Sequence, residues 1–276
     1  MGITVNTNVS SLNAQRALNA TQQRLTGNLG RLSTGMRINT AADDAAGLGI
    51  SERMKSQIRS YAQAERNSQD GISLLQTAEG AMNEISGVLV RMRELAVQAS
   101  NGTLGATERG YLGTEATALT AEVDRIASST QFNGINLLDG TYNRELQVGI
   151  GTTVGTDTIN VTVANTNMAT LTGGATIDLA TSDTTARASI TGIDAAITAL
   201  SGQRSNLGAV QNRLNVTISN LGAARENTSA ANSRIRDVDV ASESADMTRN
   251  NILMQAGVSV LAQANSAPQV ALNLLR

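Results

Sequence analysis

From Leu75 to Ala99 the apolar side chains fall at alternating intervals of three and four residues: Leu75, Ala78, Met82, Ile85, Leu89, Met92, Ala96, Ala99. That spacing keeps one face of a helix against a partner helix along its whole length. The run stops at Ser100-Asn101-Gly102, residues that let a helix end. Four further seams share the pattern. Near the start it passes through Leu18, Leu25, Leu29, Leu32 and Met36, and a helix over about residues 6–38 would be about 50 Å long at 1.5 Å per residue. A third seam runs Leu112, Ala116, Leu119, Val123, Ile126 and ends before Gln131-Phe132-Asn133-Gly134. The fourth is the longest: Ile190, Ile193, Ile197, Leu200, Leu207, Leu214, Ile218, Leu221, with Arg204 and Gln211 breaking its apolar register. The last runs Met247, Met254, Val258, Leu261, then Leu272 and Leu275 beyond Pro268. Pro268 is the only proline, so these helices can run long without a forced kink.

The region between the helical halves has another texture. Residues 135–185 are rich in Thr, Gly and Asn and alternate with period two. Leu146, Val148 and Ile150 alternate on one run and Ile159, Val161 and Val163 on the next, around the loop Gly151-Thr-Thr-Val-Gly-Thr-Asp157. Two β-branched alternating runs about a Gly-containing loop predict a β-hairpin at about 140–165. A short Thr176-Ile177-Asp178-Leu179 run after Gly173-Gly174 reads as a further small strand. The fold class is therefore mainly α: a long antiparallel helical coiled coil or bundle with a small β-hairpin region between its N- and C-terminal halves.

Composition restricts the function of such a chain. Only 1% of the 276 residues are aromatic (Tyr61, Tyr111, Phe132, Tyr142), so the core must be built from Leu, Ile, Val, Met and Ala. Cysteine, histidine and tryptophan are absent. This removes the usual zinc, copper and haem ligands, the thiol nucleophile and the neutral-pH proton shuttle. We expect no catalytic, cofactor or metal site. A net charge of −2 and the lack of stacking rings argue against nucleic acid as a partner. No apolar run approaches the roughly 20 residues that span a bilayer. MGITVNTNVSS has no basic segment followed by an apolar core, so we expect no secretory signal and no membrane insertion.

Weaker motifs have plain structural readings. Asp43-Asp44 reads as acids at a helix start, favoured by the dipole, rather than a carboxylate pair for chemistry. Gly149-Ile-Gly151-Thr-Thr-Val-Gly155 has the glycines of a dinucleotide loop, but a strand pattern follows where that motif needs a helix. Asn101-Gly-Thr103 and Asn160-Val-Thr162 match the N-glycosylation sequon in a chain where such matches are frequent. The arginines, spread among acids along the seams, read as solvated faces and salt-bridge partners. The terminal helices are amphipathic, single and far apart in sequence, and isolated helices are marginal in water. They must pair with each other or with other molecules.

Several motifs in order resemble the bacterial flagellins. They are Asn6-Thr-Asn-Val-Ser-Ser-Leu-Asn-Ala-Gln-Arg16, Leu32-Ser-Thr-Gly-Met-Arg-Ile-Asn39 followed by Ala42-Asp-Asp-Ala-Ala-Gly47, Arg93-Glu-Leu-Ala-Val-Gln98, Thr130-Gln-Phe-Asn-Gly134, and the final stretch from Ala262 to Arg276. The resemblance covers about 1–140 and 185–276. It implies a structural subunit that polymerises into the extracellular flagellar filament for swimming, exported through the flagellar type III apparatus with an export chaperone and assembled under a cap protein next to hook–filament junction proteins. It implies a terminal coiled-coil domain (D0) from 1–42 and 238–276, seamed by Leu18, Leu25, Leu29, Leu32, Met36, Met247, Met254, Val258, Leu261, Leu272 and Leu275. It implies a D1 bundle over 43–237, seamed by Leu75, Met82, Ile85, Leu89, Met92, Ile193, Ile197, Leu200, Leu207, Leu214 and Ile218. The middle region is too short for outer D2 or D3 domains. Carried over residue by residue, contacts for the flagellin-specific Toll-like receptor would be Arg91, Leu95 and Glu115, with Arg91 and Leu95 facing away from the bundle core. Three rival functions stand beside this one. A hook–filament junction protein has similar ends. A flagellin-borne zinc protease would need H-E-x-x-H, which a chain without histidine cannot supply. A cytosolic coiled-coil adaptor would form helical oligomers without fibres.

Overall fold

The computed structural model describes residues 7–274, with side chains placed through residue 267. Among the described residues six helices and four short strands follow one another: α1 (Val9–Thr34), α2 (Ala45–Ala99), α3 (Ala106–Ser129), β1 (Gln131–Phe132), β2 (Ile135–Asn136), β3 (Asn143–Gln147), β4 (Thr158–Thr162), α4 (Met168–Leu171), α5 (Asp183–Arg236) and α6 (Val240–Leu274). Helix boundaries follow local chemistry. Asn8 caps α1, accepting a hydrogen bond from the Ser11 N–H, and Gly35 ends it in the left-handed region at φ 69°. Asp44 accepts from the Gly47 N–H at the start of α2. The expected exit at Ser100-Asn101-Gly102 is where α2 stops.

The described residues divide into two compact units, and α2 and α5 each contribute to both. One unit is Gln57–Glu226. Within it α2 and α5 run antiparallel, as three cross-links of opposite sequence direction show: Glu65 with Arg225 (2.7 Å), Glu79 with Gln211 (3.1 Å) and Arg93 with Asp194 (2.6 Å). Between these rungs lie Leu75, Met82, Ile85, Leu89 and Met92 of α2 and Ile193, Leu200, Leu207 and Leu214 of α5, all buried. Ile197 and Ile218 are half-buried. Gln211, a break in the apolar register, is thus a hydrogen-bonding rung. Helix α3 adds Ala116, Val123 and Ala127 to the same core, and Val148, Ile159, Val161 and Val163 join it from the hairpin region.

The β region is two separate antiparallel hairpins, β1–β2 and β3–β4. In the first, Asn133 and Gly134 both have positive φ, as a type I′ turn requires. In the second, Asn143 faces Thr162 and Leu146 faces Ile159. The expected alternation through Ile150 stops at Gln147. Beyond it the Asp157 carboxylate accepts from the Gly151 and Thr153 N–H groups and rolls the chain into a loop. Gly149 and Gly151 lie so close to Asp157 that a Cβ on either would collide with it. The run Thr176–Leu179 is not a strand. Asp178 Oδ1 accepts from the N–H groups of Ala180 and Thr181, folding the segment into a turn that buries Leu179.

The second unit joins the residues up to Ser56 to those from Asn227. Its centre is the antiparallel pair of α1 and α6, in which Arg31 lies 3.8 Å from Glu243 while Asn8 and Ser11 reach Ala264 and Asn265.

Candidate assembly surfaces

The seam of the terminal pair keeps the interval of three and four, but its members differ from those the apolar residues alone pick out. On α1 the inward positions are Ser11, Ala14, Leu18, Thr21, Leu25, Asn28 and Leu32, each buried or half-buried. On α6 they are Glu243, Met247, Asn250, Met254, Gly257, Leu261 and Ala264. Ser11, Asn28 and Asn250 are the buried members. With its side-chain amide turned to suit its neighbours, Asn28 can donate to Arg24 O (2.5 Å) and accept from the Met247 N–H (3.2 Å). Gly257 lets the helices approach: a Cβ there would stand 3.2 Å from Leu18 Cδ1.

Leu18, Leu25, Leu32, Met36, Met247, Met254 and Leu261 are half-buried, but Leu29 and Val258 are not in this seam. Leu29 is 60% exposed and Val258 53%. The reason is register. Stepping by three and four from Leu25 reaches Asn28 and Leu32, which turns Leu29 outward, and Gly257 takes the inward place beside Val258. The side chain of Leu272, and Leu275 altogether, lie outside the described residues.

Outward apolar residues are numerous on this pair. Val9, Leu12 and Leu29 on α1 and Ile252, Leu253, Val258 and Val260 on α6 are exposed. At about 25 cal/mol per Å² of apolar surface, faces of this kind favour a further partner. Sequence reasoning passed over Ser11, Asn28 and Asn250 because they are polar. The spacing that would have found them runs unbroken through those positions.

The stretch between α1 and α2 joins the unit together. The Gly35 carbonyl accepts from the Val238 N–H (3.0 Å), and the Arg37 N–H donates to Arg236 O (2.6 Å). Arg236 turns its guanidinium to Glu52 (2.6 Å) and Met36 Sδ (3.0 Å). Ile38 is buried here, and a Cβ on Gly47 would stand 2.8 Å from its Cδ1 and strike the Asp44 carboxylate. Asp43 accepts from the Asn39 and Thr40 N–H groups and the Thr40 hydroxyl, and Arg31 stands 3.7 Å away. Those Thr40 donors, with Asn39 and Arg31, hold the Asp43 carboxyl below the usual carboxylate range. The two aspartates thus have separate tasks, one closing a turn and the other capping a helix.

On α2, Arg91 places Nε and one terminal nitrogen on the same Glu115 oxygen at 3.0 and 2.8 Å, with Glu94 at 3.2 Å. The structure therefore brings Arg91 and Glu115 together on the surface. Leu95 does not join them. It is 1% exposed, against the expectation that it faces outward. Helix α2 packs on more than one neighbour, so its buried arc is wider than one seam, and Leu95 lies one turn after the residue that reaches α3.

Among the described residues no cluster of acidic, histidine or cysteine side chains could hold a metal, and no helix is long and apolar enough to cross a membrane. Comparison with known families accounts for the rest. The family described as the bacterial flagellin N-terminal helical region matches residues 5–143, and the C-terminal helical region matches 190–275. The chain is 45% identical to the flagellin of Bacillus subtilis (strain 168) over 302 aligned residues, with 99% of each chain covered. It is 43% identical to the flagellar filament 33 kDa core protein of Treponema phagedenis, again over 99% of each. Among solved structures, Bacillus cereus flagellin matches at 37% identity and a TM-score of 0.50, covering 56% of this chain and 88% of that one. A structure described as a flagellar hook-associated protein from Vibrio parahaemolyticus matches at a TM-score of 0.62, covering 71% of this chain and 100% of that one; at 15% identity this likeness concerns the fold alone. With both helical regions matched and full-length relatives above 40% identity, the chain belongs to the bacterial flagellins, the structural, non-enzymatic subunits of the extracellular flagellar filament.

Proposed function

We propose that, in the filament this flagellin forms with other flagellin subunits, residues 1–42 and 238–276 make the terminal coiled-coil domain and residues 43–237 the helical bundle with its hairpin, with no outer domain. The observation that carries this reading is the exposed apolar face of the terminal pair, above all Leu29, Ile252, Leu253, Val258 and Val260. A pair that turns such residues outward is covered when copies pack side by side. The seams of α2 and α5 are already filled within the chain, so that part serves as a preformed block. By resemblance, the subunit passes through the flagellar type III apparatus with its chaperone, meets the cap at the growing end and adjoins hook–filament junction proteins at the base.

Sheared filaments used as seeds for purified protein test the assignment. Negative-stain microscopy should show elongation, and limited proteolysis should trim residues 1–45 and 235–276 from monomer but not from filament. Equal protection in both states would refute it. The receptor contact narrows to the Arg91–Glu115 pair, since Leu95 is enclosed. In a receptor reporter assay Arg91→Ala monomer should signal less than the parent, and full signalling would remove the contact.

A further inference from the structure

Pro268 lies inside α6, at a point where the helix continues through Leu274. A proline has no N–H, so the carbonyl of Ala264, four residues earlier, lacks its helical donor. The Asn8 side chain takes the vacant place: its Nδ2 donates to Ala264 O at 2.7 Å. The Oδ1 of the same amide accepts from the Ser11 N–H at 3.0 Å, which is the N-cap bond of α1. One side chain thus satisfies two orphaned backbone groups on two helices whose bonded residues stand 256 positions apart. The next rung belongs to the same arrangement, with Ser11 Oγ donating to Asn265 Oδ1 at 2.7 Å.

Apolar contacts are non-directional. The Leu and Met positions of this seam repeat every seven residues, so α1 displaced by one heptad along α6 would still meet apolar side chains. A directional polar contact removes that ambiguity, as single polar positions do in coiled coils. Ala264 is the position that proline has opened, and only one register brings Asn8 to it.

We propose that Asn8 and Pro268 act together as a register latch: the proline opens one carbonyl on the C-terminal helix, and the amide that caps the N-terminal helix closes it. The inference rests on the terminal pair forming the coiled-coil part of the filament. Its roles are positional, and its partner is the chain's own other end.

A double-mutant cycle on the full chain tests it. Serine caps a helix about as well as asparagine but cannot donate across to Ala264, so Asn8→Ser removes the latch and keeps the cap. Pro268→Ala restores an N–H within α6 and satisfies Ala264 locally. The critical concentration for seeded polymerisation is the readout. Asn8→Ser should raise it about tenfold in the Pro268 background, the effect of a half-buried carbonyl left without a protein donor. In the Pro268→Ala background the same substitution should change it less than twofold. Should Asn8→Ser fail to assemble at all, rescue of assembly by Pro268→Ala is the expected result. An unchanged critical concentration for Asn8→Ser, an equal rise in both backgrounds, or no rescue would overturn the latch. Growth of the parent protein from seeds reports on the assembly assignment alone, so the two ideas fail separately.

Discussion

The bundle of Gln57–Glu226 and the terminal pair are written in the same code, apolar residues at intervals of three and four, yet they spend it differently. In the bundle the seam is filled with Leu75, Met82, Ile85, Leu89, Leu200 and Leu214, and polar side chains such as Glu79 and Gln211 stand at its margin. In the terminal pair the buried seam residues are Ser11, Asn28 and Asn250, while Leu29, Ile252, Leu253 and Val258 face outward. The bundle thus has its core within one chain. The terminal pair places polar residues inside its seam and leaves much of its apolar surface exposed. A heptad pattern tells which residues share a face, but not whether that face belongs to the subunit or to the polymer.

The sharpest way to break this contrast is Leu29→Asp. An outward leucine can be exchanged without cost to the isolated chain, but a charge at a contact repeated in every subunit is costly to desolvate. Filaments should be absent by electron microscopy while the monomer's thermal unfolding is unchanged. Normal filaments would show that this face stays in water.

The converse change, Leu89→Ala, should act on the monomer. It empties a fully buried site in α2, and we expect a loss of about 2–5 kcal/mol in chemical denaturation. The matching Leu29→Ala should fall within about 0.5 kcal/mol of the parent. Comparable losses for the two would abolish the distinction between the units.

Gly87 sharpens the comparison from a third direction. It lies on the exposed face of α2, and an added Cβ would meet nothing within 4 Å. Gly87→Ala should therefore stabilise the monomer by about 0.5–1 kcal/mol through helix propensity, visible as a higher melting temperature. A higher monomer melting temperature together with poorer seeded growth would place a neighbouring subunit against that face, and growth equal to the parent's would leave the face free.

The smallest effect concerns acid. The folded-state pKa of Asp43 is depressed, so its contribution is present above the unfolded-state value and is lost as pH falls through the folded one. The turn between α1 and α2 should loosen below about pH 4, near the ordinary aspartate value, as followed by hydrogen exchange at Asn39 and Thr40. Asp43→Asn should flatten that pH dependence. Asp139 and Asp178, held low by Thr141 and Thr181 in the bundle, should lose their contributions in the same range, and the Asn39 and Thr40 amides distinguish the two regions.

The helices were legible in the sequence because helix formation is local. The seam through Leu75–Ala99 and the stop at Ser100-Asn101-Gly102 depend on residues close in the chain, and α2 follows them, whereas the short β1–β2 hairpin about Asn133-Gly134 went unread although its turn signal is equally local. The β3–β4 hairpin was legible for the same reason, up to Gln147. Beyond that point a carboxylate ten residues on, Asp157, ends the ladder. Tertiary structure decided which members of a repeating pattern face inward. Asn28 rather than Leu29 takes the inward place on α1, Leu95 is enclosed because α2 carries more than one neighbour, and Asn8 finds its acceptor only because Pro268 frees a carbonyl at the other end of the chain. Periodicity fixes a face to within a residue or so. Which polar group can be buried there depends on a donor or acceptor far away in sequence, and only the folded chain brings it near.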